Sequence, residues 1–209
     1  GEEEFGSASF GDLITTYRDE LEADVIVVAD SGNWTVETPA ITVALRGNVT
    51  FKLTVSTLGH ASHSGMFGGA VPDAMLATTK LLATLWDDAG DVAVEGLLSR
   101  DADTPEYTEA TLRAETGLLD GVSPIGTGSI LSRIWDRPSV TITGIDAPSV
   151  MNASNTLIPS VAVRVSVRVA PGQRTADAAA AVREHLRANA PFGAVLEFAD
   201  VVTGDPFLV

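Results

Sequence analysis

Two runs of strict alternation constrain this chain more than any other feature. Val49, Phe51, Leu53 and Val55 are separated by Thr50, Lys52 and Thr54 and preceded by Asn48. Val161, Val163, Val165, Val167 and Val169 alternate with Arg164, Ser166 and Arg168 further along. Successive side chains leave a strand on opposite sides, so each run has one apolar and one polar face. Strands of a parallel sheet covered on both sides read as continuous apolar runs instead. The pattern therefore predicts a half-buried antiparallel sheet covered on one face, with Arg164 and Arg168 looking away from whatever covers it.

The elements around these strands complete a recognisable order. Pro72 and Asp73 open a helix, with proline early and an acid in the first turn. Met75, Leu76, Thr79, Leu82, Leu85 and Trp86 supply its expected apolar face. Ser139 to Ile145 is β-rich, Thr175 is positioned to cap a second helix running to about Asn189, and Ala194 to Val202 forms a last strand. The order is β-α-β-β-α-β, an α+β, ferredoxin-like arrangement of four antiparallel strands with two helices on one face. Residues 90–137 fall outside that pattern and read as a long insertion with loops at Gly121, Pro124, Gly126 and Gly128 and a helix over 108–116.

The first residues have a different character. Residues 11–22 read as a short helix, Val25-Ile26-Val27-Val28 as a buried strand ending at Ala29-Asp30, and Ile41 to Leu45 as a short strand. Net charge is −15, and residues 1–44 carry ten acids against one base. The step near Arg46 marks a boundary. Without a basic run, nucleic acid is not an expected partner. Without cysteine, disulfides, thiolate metal sites and a cysteine nucleophile are excluded. No apolar run approaches the roughly 18–20 residues of a membrane span, and the expected location is cytoplasmic.

Residues suited to hydrolytic chemistry sit in five ordered motifs. They are Gly1-Glu2-Glu3-Glu4-Phe5-Gly6-Ser7, Val28-Ala29-Asp30, Ile41-Thr42-Val43-Ala44-Leu45-Arg46-Gly47, His63-Ser64-Gly65-Met66-Phe67-Gly68-Gly69, and Thr156-Leu157-Ile158-Pro159 leading to Val165-Ser166-Val167-Arg168-Val169-Ala170-Pro171. Adjacent carboxylates suit a metal site in which one holds the ion and its neighbour moves a proton. Taken in order, the motifs resemble the carnosinase and aminoacylase family of metallopeptidases with two co-catalytic zinc ions, in its dipeptidase branch. Members have a catalytic domain and an inserted lid of β-α-β-β-α-β fold. The resemblance implies a catalytic-domain segment at 1–44, a lid and dimerisation domain at 45–203, and a return toward the catalytic domain at 204–209.

It also implies roles. Glu3 matches the general base that takes a proton from metal-bound water, and Glu4 and Asp30 match zinc ligands. The spacing to Gly6-Ser7 decides between Glu3-Glu4 and Glu2-Glu3, and Asp30 in Asp-Ser-Gly also reads as a turn residue. His63 matches a lid histidine that steadies the oxyanion in the partner subunit's site, which makes a homodimer part of the mechanism. Arg168 matches the arginine that binds a substrate carboxylate, and Thr156 a neighbouring residue that hydrogen-bonds substrate. Arg164 reads as a solvated strand residue and His185 as an ordinary surface histidine. His60 and His63 lack the helical setting that a metal-binding H-x-x-H pair needs. Gly65 to Gly69 lacks nucleotide-loop spacing and reads as a tight turn.

The family's upstream histidine and bridging Asp, and its histidine near the C-terminus, have no counterpart here. The expectation is a fragment, inactive alone, of a metal-dependent dipeptidase or short-peptide hydrolase. Its two divalent ions are expected to be zinc, with manganese or cobalt as alternatives. The rival reading is a non-catalytic dimerisation or small-ligand-binding module.

Overall fold

The computed structural model describes residues 7–27 and 32–209. It divides into two units, Gly1–Thr42 and Val43–Val209.

Within the first unit, helices span Phe10–Thr16 and Arg18–Leu21, separated at Tyr17 (φ −108°, ψ 25°). The predicted strand at Val25–Val28 is not formed over its described part. Val25, Ile26 and Val27 are unpaired and 77%, 76% and 83% exposed. A strand needs a neighbour to satisfy its backbone, and no strand among the described residues pairs with this run. Its apolar pattern therefore goes unused.

The second unit is built on β1 (Gly47–Ser56), α1 (Ala74–Ala83), α2 (Glu109–Thr116), α3 (Ile130–Trp135), β2 (Ser139–Asp146), β3 (Ser160–Val169), α4 (Thr175–Ala188) and β4 (Val195–Gly204). The four strands form one antiparallel sheet in the order β2-β3-β1-β4. The central pair keeps register from Gly47↔Val169 to Ser56↔Ser160. Both alternating runs consequently turn the same way. Val49, Phe51, Leu53 and Val55 join the odd-numbered valines of β3 in a core against Ala74, Ala77, Leu81, Ala178, Val182 and Leu186 of α1 and α4.

The expected apolar face of α1 is met only in its later part and just beyond, where Leu85 is buried and Leu82 and Trp86 pack against the core. Ala74, Ala77, Thr78 and Leu81 are buried, while Met75 and Leu76 are 38% and 47% exposed. Small residues three apart let the first turns of the helix lie close to the sheet, so Ala74 and Ala77 face it there in place of Met75 and Leu76. Asp73, rather than a residue inside the helix, is the cap: its Oδ1 accepts from Leu76 N at 2.7 Å. His185 is half-buried, not an ordinary surface residue. Its Nε2 lies 2.9 Å from Thr84 O and 3.0 Å from Thr84 Oγ1, tying α4 to the end of α1.

Thr175 is the first residue of α4 and does not cap it with its own side chain. Its N–H and hydroxyl both donate to Asp205, beyond β4. Nearby, Ala44–Leu45 and Phe207–Leu208 pair as a short antiparallel ribbon, so the chain enters and leaves this unit side by side. The insertion is held mainly by arginines. Arg137 lies 2.7 Å from Asp101 and 3.6 Å from Asp91, and Arg113 pairs with Glu109 at 2.6 Å. Thr108 caps α2 and Gly117 closes it in the left-handed region, φ +69°.

Candidate functional site

The site residues suggested by the sequence fall into three groups. Glu3, Glu4 and Asp30 lie outside the described residues. His63 and Thr156 come together at one end of the sheet, and Arg168 stands at the other.

Ser62–His63 and Thr156–Leu157 form a two-residue antiparallel ladder in which His63 is opposite Thr156. Opposed residues of such a ladder project to the same side. Leu157, the other residue of the second strand, is buried. Ser64 N donates to Asn155 O at 2.9 Å, and Thr156 Oγ1 lies 2.8 Å from Ser154 Oγ. A single helical turn, Ser64–Phe67, follows the histidine, which caps it: His63 Nδ1 accepts from Gly65 N at 3.1 Å. Gly68 N closes the turn on Ser64 O at 2.7 Å, and Gly69 takes φ +86°, a conformation open to glycine. The His63 ring is exposed to solvent. His60 lies in the bend before the ladder, so the two histidines do not share a helical face.

Arg168 lies opposite Asn48 on β1 and Ser139 on β2. It is exposed and has no ion pair or side-chain hydrogen bond among the described residues. Arg164, the other polar-face arginine, is engaged: its Nη1 donates to Asp200 O at 3.2 Å. Arg46, which stands both in the third motif and at the charge boundary, also belongs to the Arg168 end. Its Nη1 donates to Arg133 O, Arg137 O and Ser139 Oγ at 3.4, 3.3 and 3.2 Å. Burial and then the charge of Arg168 push its guanidinium pKa below the ordinary value, and Asp136 acts in the opposite sense. Asn48 Oδ1 is buried nearby without a hydrogen-bond partner among the described residues. This end thus carries an exposed Arg168 beside a part-buried Arg46 whose Nη1 is already held by protein acceptors. Its signal in the sequence was Leu45-Arg46-Gly47, two residues before the alternating run.

The two ends are far apart. Ser160 and Arg168 are eight residues apart along β3, which at roughly 3.3 Å per residue is about 26 Å. Thr156 precedes Ser160, and the entry and exit ribbon lies at the Arg168 end. Among the described residues no three His, Asp or Glu side chains converge as a metal site.

A fold of this order has known counterparts. The model of the M20 peptidase dimerisation domain matches residues 43–194. The chain belongs to this family. The chain is 34% identical to the cysteinylglycine-S-conjugate dipeptidase of Corynebacterium striatum over 99% of its length and 46% of that protein. It is 29% identical to the rat Beta-Ala-His dipeptidase over 90% of this chain and 41% of that protein. Among solved structures, the dipeptidase Dug1p of Saccharomyces cerevisiae superposes with a TM-score of 0.74 at 22% identity, covering all of this chain and 47% of the other. Human carnosine dipeptidase 1 gives 0.73 at 23%, covering 99% and 47%. These two establish the fold, in agreement with the ferredoxin-like reading. The chain spans about half the length of the curated relatives it matches.

Proposed function

We propose that the whole protein is a metal-dependent dipeptidase or short-peptide hydrolase whose active site is completed across a homodimer. The observation that carries this is the placement of His63 and Thr156 at one end of β3 and Arg168 at the other. An extended dipeptide is roughly 7 Å long, so it cannot touch both ends of one sheet. Two copies resolve the geometry. Arg168, beside the ribbon through which the chain enters and leaves, serves the catalytic domain of its own chain. His63 and Thr156, at the far end, serve the partner's.

In this reading the unpaired Arg168 guanidinium holds the substrate carboxylate by a two-point fork, its charge reinforced by Arg46. Thr156 donates or accepts one hydrogen bond to the substrate. His63 stabilises the oxyanion that develops as the peptide carbonyl is attacked. Glu3 is the general base, and Glu4 and Asp30 are metal ligands. The ions, zinc or the manganese and cobalt accepted by the same donors, supply an acidified water. Two carboxylates are fewer than the three or four protein ligands of a zinc site, so this chain alone neither completes the site nor hydrolyses peptides.

The test is a peptidase assay on the whole protein. His63→Ala is expected to lower kcat by about 100- to 1,000-fold, the scale of a lost oxyanion donor, with the sheet intact by circular dichroism. An unchanged rate in a folded variant contradicts the reading and favours a non-catalytic module.

A further inference from the structure

We infer that Gly65 is a positioning residue that fixes the tautomer of His63, so that the ring offers a proton on Nε2 and none on Nδ1. The inference rests on the proposed role of His63 and deepens it. A backbone N–H can only donate, and Gly65 N–H points at His63 Nδ1 from 3.1 Å. Nδ1 must therefore carry a lone pair, and the neutral ring's single proton sits on Nε2. An oxyanion needs a donor, so this tautomer suits the task and the other does not.

The same contact explains why position 65 is glycine. The Gly65 backbone is not in the left-handed region, so no turn geometry requires the residue. A Cβ there would instead lie 3.0 Å from His63 Cε1 and 3.2 Å from Nδ1, inside ordinary contact. A Cβ there crowds the imidazole, which must give by a few tenths of an ångström at the very atoms that meet the amide. The ring is also held from the backbone side: His63 is paired with Thr156, and Ser64 N is bonded to Asn155 O. With the main chain fixed, the remaining freedom is rotation of the ring, and the Gly65 amide takes that up.

Long-range nitrogen–proton NMR of this chain, with its imidazoles labelled, reads the tautomer directly at a pH where the rings are neutral. His60, exposed and without a hydrogen-bond partner among the described residues, serves as the internal reference. The expected result is Nδ1 of His63 as an unprotonated nitrogen and Nε2 as a protonated one, more completely than at His60. Gly65→Ala, which displaces the ring, and Gly65→Pro, which removes the donor, should both shift His63 toward the His60 pattern. A His63 spectrum in the unaltered chain that matches His60, or shows the proton on Nδ1, overturns the inference whatever the variants do. In the whole protein, Gly65→Ala should lower kcat with little change in KM. If His63→Ala leaves the rate unchanged while the tautomer is as expected, the functional reading fails and the structural one stands. The reverse pattern sinks only the role of Gly65.

Discussion

The carboxylate of Asp205 accepts hydrogen bonds from both the hydroxyl and the amide of Thr175, thirty residues earlier in the chain. Helix α4 is thus capped from the exit segment, and its start depends on the chain end staying in place. The hydroxyl bond, then the amide bond, hold the Asp205 pKa below the usual carboxylate range. A folded pKa below the unfolded one gives stability that is present above about pH 4 and is lost as pH falls through the folded value. Asp205→Ala should therefore lower Tm at neutral pH, with the gap to the unaltered chain closing in acid. Asp205→Asn should lose less at neutral pH, and its gap should close over the same range, because neither replacement titrates there. Calorimetry across pH 2 to about 7 checks both.

Where the chain enters beside its own exit, space is tight. A Cβ on Gly47 would lie 2.7 Å from Pro206 Cδ and 2.9 Å from Gly204 O. Gly47→Ala should cost about 1–3 kcal/mol, as other overpacking changes do, and should loosen the Ala44–Leu45 ribbon. Urea unfolding gives the energy, and amide exchange at residues 44–45 and 207–208 gives the location.

The core predicts a larger loss. Phe51 is 1% exposed and forms a tilted ring pair with Phe198, 5.8 Å from centre to centre. Truncation to alanine should cost about 3–5 kcal/mol by loss of transfer energy and creation of a cavity. Ala77→Leu should also destabilise, because α1 lies on the sheet through that small residue. Denaturant midpoints of both variants would test the close approach of α1.

Arg168 should matter to binding and not to folding. Without a partner among the described residues, Arg168→Ala should change stability by no more than about 0.5 kcal/mol. In the whole protein it should raise KM for a substrate with a free carboxylate roughly 10- to 100-fold, as for a lost hydrogen bond to a charged group. Arg164→Ala, whose side chain is already engaged by Asp200, is the control and should leave KM unchanged.

The sheet was legible because alternation is a property of each strand by itself: Val49 to Val55 and Val161 to Val169 need no knowledge of their neighbours to declare a buried face. The helix faces were less so. Met75 and Leu76 look like core residues, but the sheet accepts Ala74 and Ala77, and only close packing shows why. Val25 to Val27 fails for the opposite reason, since strand propensity yields no strand without an adjacent edge. The cap on α4 was hidden because its acceptor, Asp205, is distant in sequence. Of the candidate site, the residue types of His63, Thr156 and Arg168 were legible. Their separation along β3 was not, because register between short ladders is a tertiary fact. The contact of Gly65 N with His63 Nδ1 and the nearness of Arg46 to Arg168 were likewise not legible, because both depend on side-chain geometry that no local pattern fixes.

The most direct test of the shared site mixes two inactive variants of the whole protein, His63→Ala and Glu3→Gln, under conditions that exchange subunits. In a mixed dimer, the copy with an intact Glu3 receives His63 from its partner. The account predicts that peptidase activity reappears on mixing, above that of either variant alone. Mixed dimers that form, by mass spectrometry, yet remain as inactive as their parents would contradict it.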